Sequence, residues 1–198
     1  MHPGPVAGCG EGMKESVFAC SGSQPRTLPE RTPKIKLIFL DFDGVLINRA
    51  SFTERLRVPG WQGAAAHPKC MEQLNRIVAE TGAKVVVSSV HRMGGKTINM
   101  REKLRAWGFK GDCVGITPVL RRKGTDHIVI AEPRGIEIQA WIDEHEGTRY
   151  EPHSFCVIDD DADMEHLLPL LVQTKFEDGL TAANADHAIA LLNHGRAV

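Results

Sequence analysis

The chain contains short apolar runs separated by segments with helical spacing, and this alternation restricts the fold more than any other feature. The clearest runs lie at residues 35–40, 84–87 and 155–158, and weaker ones lie at 111–116 and 171–172. Apolar runs of this length, rich in branched residues, are typical of buried strands. Because such strands need cover on both faces, the sequence predicts an α/β domain with a Rossmann-like parallel sheet between two layers of helices.

Helices are predicted between and after these strands. The segments assigned as helices are 68–80, 97–107, 134–145, 163–169 and 183–192. Gly82 suits the end of the first helix, because glycine readily adopts the left-handed conformation common at that position.

The N-terminal part of the chain differs in composition from the rest. Residues 1–33 are rich in Gly, Pro and Ser and have no sustained apolar period. Segments of this kind bury too little apolar surface to fold alone. We therefore predict a disordered tail over residues 1–33 and a single folded domain over residues 34–198.

Composition excludes several classes of protein. The 24 Lys and Arg residues nearly balance the 25 Asp and Glu residues, which argues against bulk attraction to nucleic acid or membrane, although a local patch can still bind. No run approaches the roughly 20 apolar residues of a membrane span. The five cysteines are scattered without C-x-x-C spacing, as expected for a reduced, cytoplasmic protein.

The candidate site is defined by polar residues directly after three of the predicted strands. In open parallel sheets, ligands bind beside the carboxyl ends of the strands. The residues found there are Asp41 and Asp43, Ser88, and Asp159 with Asp160.

The segment Asp41-Phe42-Asp43-Gly44-Val45-Leu46 combines two carboxylates with a glycine. Carboxylates two residues apart at a strand exit can aim at one point, and Gly44 permits a sharp turn. One carboxylate can then attack phosphorus while the other gives and takes a proton. The alternative is an acidic turn that caps a helix. The apolar strand before this segment and Gly-Val-Leu within it favour the catalytic interpretation.

The run Asp159-Asp160-Asp161-Ala162-Asp163 is a second acidic group. Carboxylates crowded at a strand end repel one another unless a cation lies among them, and Mg²⁺ binds one or two carboxylates together with water and phosphate oxygens. An EF-hand loop is excluded, because its sixth position is Met164 instead of Gly and its twelfth is Leu170 instead of Glu. Asp161 and Asp163 are expected in a solvated, helix-capping stretch.

The segment Ser88-Ser89-Val90-His91-Arg92 follows the second strand. A hydroxyl at this point can donate to a phosphate oxygen, and Arg92 can bind phosphate with its bidentate fork. Serine after a strand is also ordinary loop chemistry, so this segment alone is weak evidence. His91 is given no role, because a histidine in such a position is more often structural.

Together these motifs resemble the haloacid dehalogenase (HAD) superfamily over residues 34–198. The shared features are D-x-D-G-V-L after an apolar strand, a strand-end serine, and a later strand that ends in D-D. A closer resemblance is to the HAD-like domain of Swiss-army-knife RNA repair proteins. The stretches that carry it are residues 87–92, 134–138, 170–174 and 179–181.

The resemblance implies a Mg²⁺-dependent phosphatase that forms an aspartyl-phosphate. Asp41 would be the nucleophile, Asp43 the general acid and base, and Ser88 a ligand of the phosphoryl group. Mg²⁺ would be held by Asp41, the backbone carbonyl of Asp43, and the pair Asp159 and Asp160. The substrates implied by the resemblance are phosphorylated RNA or DNA ends, or nucleotides.

The sequence departs from the superfamily at the lysine that normally bridges nucleophile and phosphate. Lys123 lies in Arg121-Arg122-Lys123-Gly124, which is typical of a solvated basic loop. Arg134 begins the predicted helix that leads into the strand before Asp159. Because arginine stays charged at any working pH and can pair with two oxygens, we prefer Arg134 and keep Lys123 as the alternative.

The site is predicted to be essentially capless. Only about residues 48–67 remain for a flap between the first strand and the first helix. An open site favours large or protruding substrates. Basic residues near the predicted rim would suit a row of phosphates, although a basic helix is more often a solvated surface. These residues are Arg92, Lys96, Arg101, Lys103 and Arg105, and Arg121, Arg122 and Lys123.

The sequence leaves several functions open. The first is a phosphatase acting on nucleic-acid ends or nucleotides, or on small molecules. The second is a binding module that holds a phosphorylated partner without turnover, and the third is a phospho-receiver domain. A proton donor at Asp43, two residues after Asp41, favours turnover over storage of a phosphoryl group. The idle module is disfavoured because every essential acid is present.

Overall fold

The computed structural model of the chain describes Met1 and residues 35–53, 66–123 and 129–194. The tail predicted over residues 1–33 lies outside the described residues apart from Met1, so it stays a prediction. Most of the flap predicted at 48–67 also lies outside them.

Seven strands are present in the described residues. They are β1 (Ile35–Leu40), β2 (Lys84–Val87), β3 (Cys113–Ile116), β4 (Arg121–Lys123), β5 (Val129–Ala131), β6 (Pro152–Asp159) and β7 (Leu171–Gln173). Five of them form a parallel sheet in the order β3-β2-β1-β6-β7. The predicted Rossmann-like sheet is therefore confirmed.

Five α-helices surround the sheet within the part of the chain that the structure describes. They are α1 (Arg49–Thr53), α2 (Pro68–Thr81), α3 (Thr97–Ala106), α4 (Arg134–Glu144) and α5 (Ala182–His194). The helices predicted for α2 to α5 are confirmed within two residues. The segment predicted as a helix at 163–169 is a 3₁₀ helix at Glu165–Leu170 that contains Pro169, and proline disfavours a continued α-helix.

The strands of the sheet are buried on both faces, as their apolar runs require. Alternate residues of β1 point to opposite sides, so Ile38 and Leu40 belong to one core cluster while Leu37 and Phe39 belong to the other. The first cluster includes buried residues of α2, α3 and α5, and the second includes Ile138 and other buried residues of α4. Full burial of each such side chain stabilises the fold by about 1.5–3 kcal/mol, which gives the strand ends a rigid base.

The register of the sheet brings the predicted site residues to one edge. Leu40, the last residue of the central strand β1, pairs with Val87 on one side and with Ile158 on the other. The residues that follow these three are Asp41, Ser88 and Asp159. Because neighbouring strands lie about 4.8 Å apart, the three polar residues emerge side by side.

A small antiparallel pair, β4 and β5, lies between β3 and α4 in the chain. Its register pairs Arg121 with Ala131, Arg122 with Ile130 and Lys123 with Val129. All six residues are exposed, as predicted for the basic segment, but they form a paired ribbon instead of a loop. The basic residues of β4 give no apolar pattern, whereas Val129-Ile130-Ala131 of β5 is a short apolar run for which no strand was predicted.

None of the helices in the described ranges has the length and apolar composition required to cross a membrane.

Candidate active site

The segment after β1 turns sharply at Gly44. The carbonyl of Phe42 accepts hydrogen bonds from the N–H groups of Leu46 and Ile47 at 2.9 and 2.8 Å. Gly44 has a φ of +69°, and a Cβ at this position would collide with the side chain of Asp160. A residue other than glycine would therefore strain the turn and also displace a candidate metal ligand.

Three carboxylates converge beside this turn. One oxygen from each of Asp41, Asp159 and Asp160 lies within 4.8 Å of the others. Asp41 and Asp159 are buried. Within the part of the chain that the structure describes, their oxygens Asp41 Oδ1 and Asp159 Oδ2 have no hydrogen-bond partner. Buried carboxylate oxygens without donors are costly to keep charged, so this arrangement suits a bound cation.

The acids of this cluster are hard to ionise without a cation. Burial, followed by the charge of Asp41, raises the pKa of Asp159 to about 7. Burial also raises the pKa of Asp41, against the opposing effects of Arg134 and of a hydrogen bond with Ser89. Burial raises the pKa of Asp160 as well. Hard oxygen ligands packed this closely fit Mg²⁺, whose charge would favour the ionised forms.

The remaining acids of the 159–163 run have structural contacts. The N–H of Asp161 donates to Asp159 Oδ1 at 3.1 Å, which fixes one oxygen of that carboxylate. Asp163 accepts a hydrogen bond from the N–H of Arg134, the first residue of α4, at 2.9 Å. The helix-capping role predicted for Asp163 is confirmed.

Arg134 lies between two carboxylates of the cluster. Its Nη2 is 3.9 Å from Asp41 Oδ1, and its Nε is 3.5 Å from Asp159 Oδ2. Gly135 allows the start of α4 to approach this closely, because a Cβ there would collide with the backbone of Met164. Lys123, the alternative, is exposed on β4. Of the two, the structure brings Arg134 to the acids.

Two serines follow β2. Ser88 is fully buried, and its N–H donates to the carbonyl of Leu40 at 2.9 Å. Its Oγ has no hydrogen-bond partner among residues 35–53, 66–123 and 129–194. Ser89 was not predicted as a site residue, yet a hydrogen bond with its side chain opposes the rise in the pKa of Asp41. Its Oγ also accepts from the N–H of His91 at 3.4 Å. The sequence indicates Ser88 because it directly follows β2, and it gives no sign that the next serine also interacts with Asp41.

Arg92 does not present its guanidinium to the acid cluster. The group is buried and donates to the backbone carbonyls of Ser88, Ser89, Thr117 and Pro118 and to the carboxylate of Glu137. These five acceptors use all five N–H donors of an arginine side chain. The predicted phosphate contact therefore needs correction: Arg92 ties the loops after β2 and β3 to α4. The sequence could not reveal this, because Glu137 lies 45 residues away along the chain.

His91, to which the sequence assigns no role, contacts Asp43, the predicted general acid and base. Its Nε2 lies 3.1 Å from Asp43 Oδ2, and its Nδ1 lies 3.0 Å from Nζ of Lys103 on α3. The side chain of Asp43 is half exposed. The contact depends on the 3₁₀ turn at Val90–Arg92, which has no clear sequence signal.

The fold and the strand-end carboxylates define a Rossmann-like α/β domain of the HAD type. The chain belongs to the family described as the HAD domain in Swiss Army Knife RNA repair proteins, whose model matches residues 37–185. This confirms the predicted superfamily and the closer resemblance. No curated protein and no solved structure matches the chain.

Proposed function

We propose that the chain is a magnesium-dependent phosphatase that hydrolyses phosphoric monoesters of nucleic-acid ends or nucleotides. The observation that carries the proposal is the position of Asp41. It is buried at the end of the central strand with an unpartnered oxygen, and Asp159 and Asp160 are close enough to share one cation with it. Membership of a HAD family supports a hydrolase of the phosphatase type.

In the proposed reaction, a carboxylate oxygen of Asp41 attacks the phosphorus atom. The bond between phosphorus and the leaving oxygen breaks, and Asp43 transfers a proton to that oxygen. Water then attacks the aspartyl-phosphate, Asp43 takes a proton from the water, and inorganic phosphate leaves as the Asp41 carboxylate is restored.

The carboxylates of Asp41, Asp159 and Asp160 and the backbone carbonyl of Asp43 would hold Mg²⁺. When bound, the ion would neutralise charge on the phosphoryl oxygens. Arg134 lies where it can pair with a phosphoryl oxygen as well as with Asp41. The unpartnered hydroxyl of Ser88 is available to donate to another such oxygen.

Exposed positive charge supports an extended, polyanionic substrate. The ribbon of β4 and β5 carries Arg121, Arg122 and Lys123, all exposed. Its base is tied to the site region, because the N–H of Leu120 donates to Glu137 Oε1 at 2.9 Å and Glu137 in turn lies 3.9 Å from Arg134. Cations placed here can meet phosphates that extend from a reacting end.

The proposal is tested by phosphate release from an aryl phosphate with and without Mg²⁺. We expect Mg²⁺-dependent turnover that falls by at least about 10³-fold in Asp41→Asn. In Asp43→Asn the kcat should fall by about 10²- to 10⁴-fold, because this variant also lacks the base that activates water in the second step. Asp186→Asn is the matched control, because this exposed carboxylate pairs with Arg76 on α2. Oligonucleotides with 3′- or 5′-phosphates then define the substrate.

Three outcomes would overturn the proposal. Stoichiometric uptake of phosphate without turnover would indicate a receiver. Absence of turnover on all substrates by folded wild type would indicate a binding module. An active Asp41→Asn variant would exclude the aspartyl-phosphate mechanism.

A further inference from the structure

Three side chains form a hydrogen-bonded chain that begins at Asp43 and leads away from the acid cluster. Asp43 Oδ2 is 3.1 Å from His91 Nε2, and His91 Nδ1 is 3.0 Å from Lys103 Nζ. Asp43 Oδ1 has no hydrogen-bond partner among the described residues. One carboxylate oxygen is therefore held by His91, while the other has no donor in the described part of the chain.

The chemistry of Lys103 determines which nitrogen of His91 carries the proton. An ammonium group has three donors and no acceptor, so Nδ1 of His91 must accept the hydrogen bond from Lys103. Nε2 then carries the proton of the neutral ring and donates to Asp43. Each member of the chain thus has one defined role in its hydrogen bonds.

Contacts with aromatic rings hold the side chains of His91 and Lys103 in place. The ring of His91 lies 5.6 Å from the ring of Phe42. Phe42 is the residue between Asp41 and Asp43 in the sequence. Lys103 Nζ lies 5.2 Å from the centre of the Trp107 ring and 6.0 Å from that of Phe42. Cation–π contacts at such distances favour this position of the ammonium group.

We propose that His91, itself oriented by Lys103, is a positioning residue that aims Asp43 at the leaving oxygen of the substrate. This inference rests on the proposed phosphatase function. As the bond between phosphorus and the leaving oxygen breaks, the electron pair stays on that oxygen and the proton of Asp43 moves to it. Asp43 becomes a carboxylate, and its hydrogen bond from His91 Nε2–H strengthens because the acceptor gains charge.

The dependence on the leaving group tests this role. An alkoxide is a poor leaving group and needs a proton donor as it departs. The phenolate of an acidic phenol is stable and needs one far less. We expect His91→Ala to lower kcat/KM for an alkyl phosphate by about 10- to 100-fold, and to change it less than about 3-fold for p-nitrophenyl phosphate. His91→Gln keeps an N–H donor and should restore part of the loss. His187→Ala, at an exposed position of α5, is the control.

The orientation of His91 can be measured without substrate or metal. Nitrogen-15 chemical shifts of the imidazole ring distinguish the two neutral tautomers. We expect the form protonated on Nε2 in wild type and a mixture in Lys103→Met. Lys110→Met removes an exposed cation after α3 and should leave the tautomer unchanged.

The outcomes separate this inference from the proposed function. Wild type without turnover would overturn both. An active wild type whose His91→Ala variant loses activity equally on both phosphates, or loses none, would overturn the positioning role alone. The role of Lys103 would be overturned if the His91 ring of wild type were protonated on Nδ1. It would also be overturned if Lys103→Met left the tautomer unchanged.

Discussion

Arg92 and Glu137 form an ion pair inside the protein, close to the carboxylates of the site. Their side chains are only 3% and 6% exposed, so both charges have lost their hydration. Burial lowers the pKa of Arg92, against the opposing effect of Glu137. An ion pair of this kind depends on both partners, because the loss of one leaves the other charged and buried.

We predict that Glu137→Ala destabilises the protein by about 3–5 kcal/mol, because it strands the charge of Arg92 in the interior. The free energy of unfolding in urea measures this change. Glu144→Ala, at an exposed position on the same helix, should change stability by less than about 0.5 kcal/mol.

Substitution of Arg92 separates a structural role from a phosphate-binding one. Arg92→Lys cannot reproduce five hydrogen bonds, so a structural Arg92 predicts a lower free energy of unfolding. A raised KM with unchanged stability would instead restore the phosphate-binding interpretation and contradict the assignment made from the contacts.

At the scale of elements, the ribbon of β4 and β5 differs from the rest of the domain. Its six residues are exposed, and Val129 and Ile130 are 59% and 41% exposed. Three consecutive basic residues on β4 repel one another and gain little from packing. An element with so little buried surface contributes little to the stability of the core. Arg122 Nε lies 3.9 Å from Glu132 Oε1, and the exposed charges of the ribbon can serve binding.

We predict that replacing Arg121, Arg122 and Lys123 together by Gln weakens the use of phosphorylated oligonucleotides. The kcat/KM should fall by about 10-fold at low salt. A plot of the log of the oligonucleotide binding constant against the log of salt concentration should become less steep by up to about 2, because three phosphate contacts to a single strand are lost. The effect on an aryl phosphate should be much smaller.

Charge loss elsewhere provides the control for the ribbon. A triple variant in which Lys110, Arg149 and Lys175 are replaced by Gln loses three exposed cations from other segments. An equal loss of oligonucleotide activity in both triple variants would mean that net charge, and not the ribbon, attracts the substrate.

At the scale of the whole molecule, the sheet explains which parts of the site could be predicted. Asp41, Ser88 and Asp159 follow apolar runs, and a parallel sheet brings such residues together whatever their distance in the chain. His91 and Arg92 follow the same strand as Ser88, but their roles depend on partners at Lys103 and Glu137. Hydrophobic periodicity carries no information on such pairings of polar side chains.

The acid cluster also links the stability of the whole domain to pH. The pKa of Asp159 is about 7 in the folded protein and about 3.9 in an unfolded chain. Between these values the folded state binds more protons than the unfolded state. The contribution of Asp159 to stability is therefore lost as pH rises through about 7 in the metal-free protein, by up to a few kcal/mol.

Magnesium should reverse this trend, because metal binding requires ionised carboxylates and stabilises only the folded state. We predict that the rise in Tm on adding Mg²⁺ is larger at pH 8 than at pH 5, and that Asp159→Asn removes most of this rise.

Without metal, Asp159→Asn should lose less stability than wild type between pH 5 and pH 8, since its amide does not titrate. Thermal unfolding of both proteins, with Asp186→Asn as control, measures these differences. If the Tm of folded wild type at pH 8 did not change on adding Mg²⁺, the three carboxylates would not form a metal site.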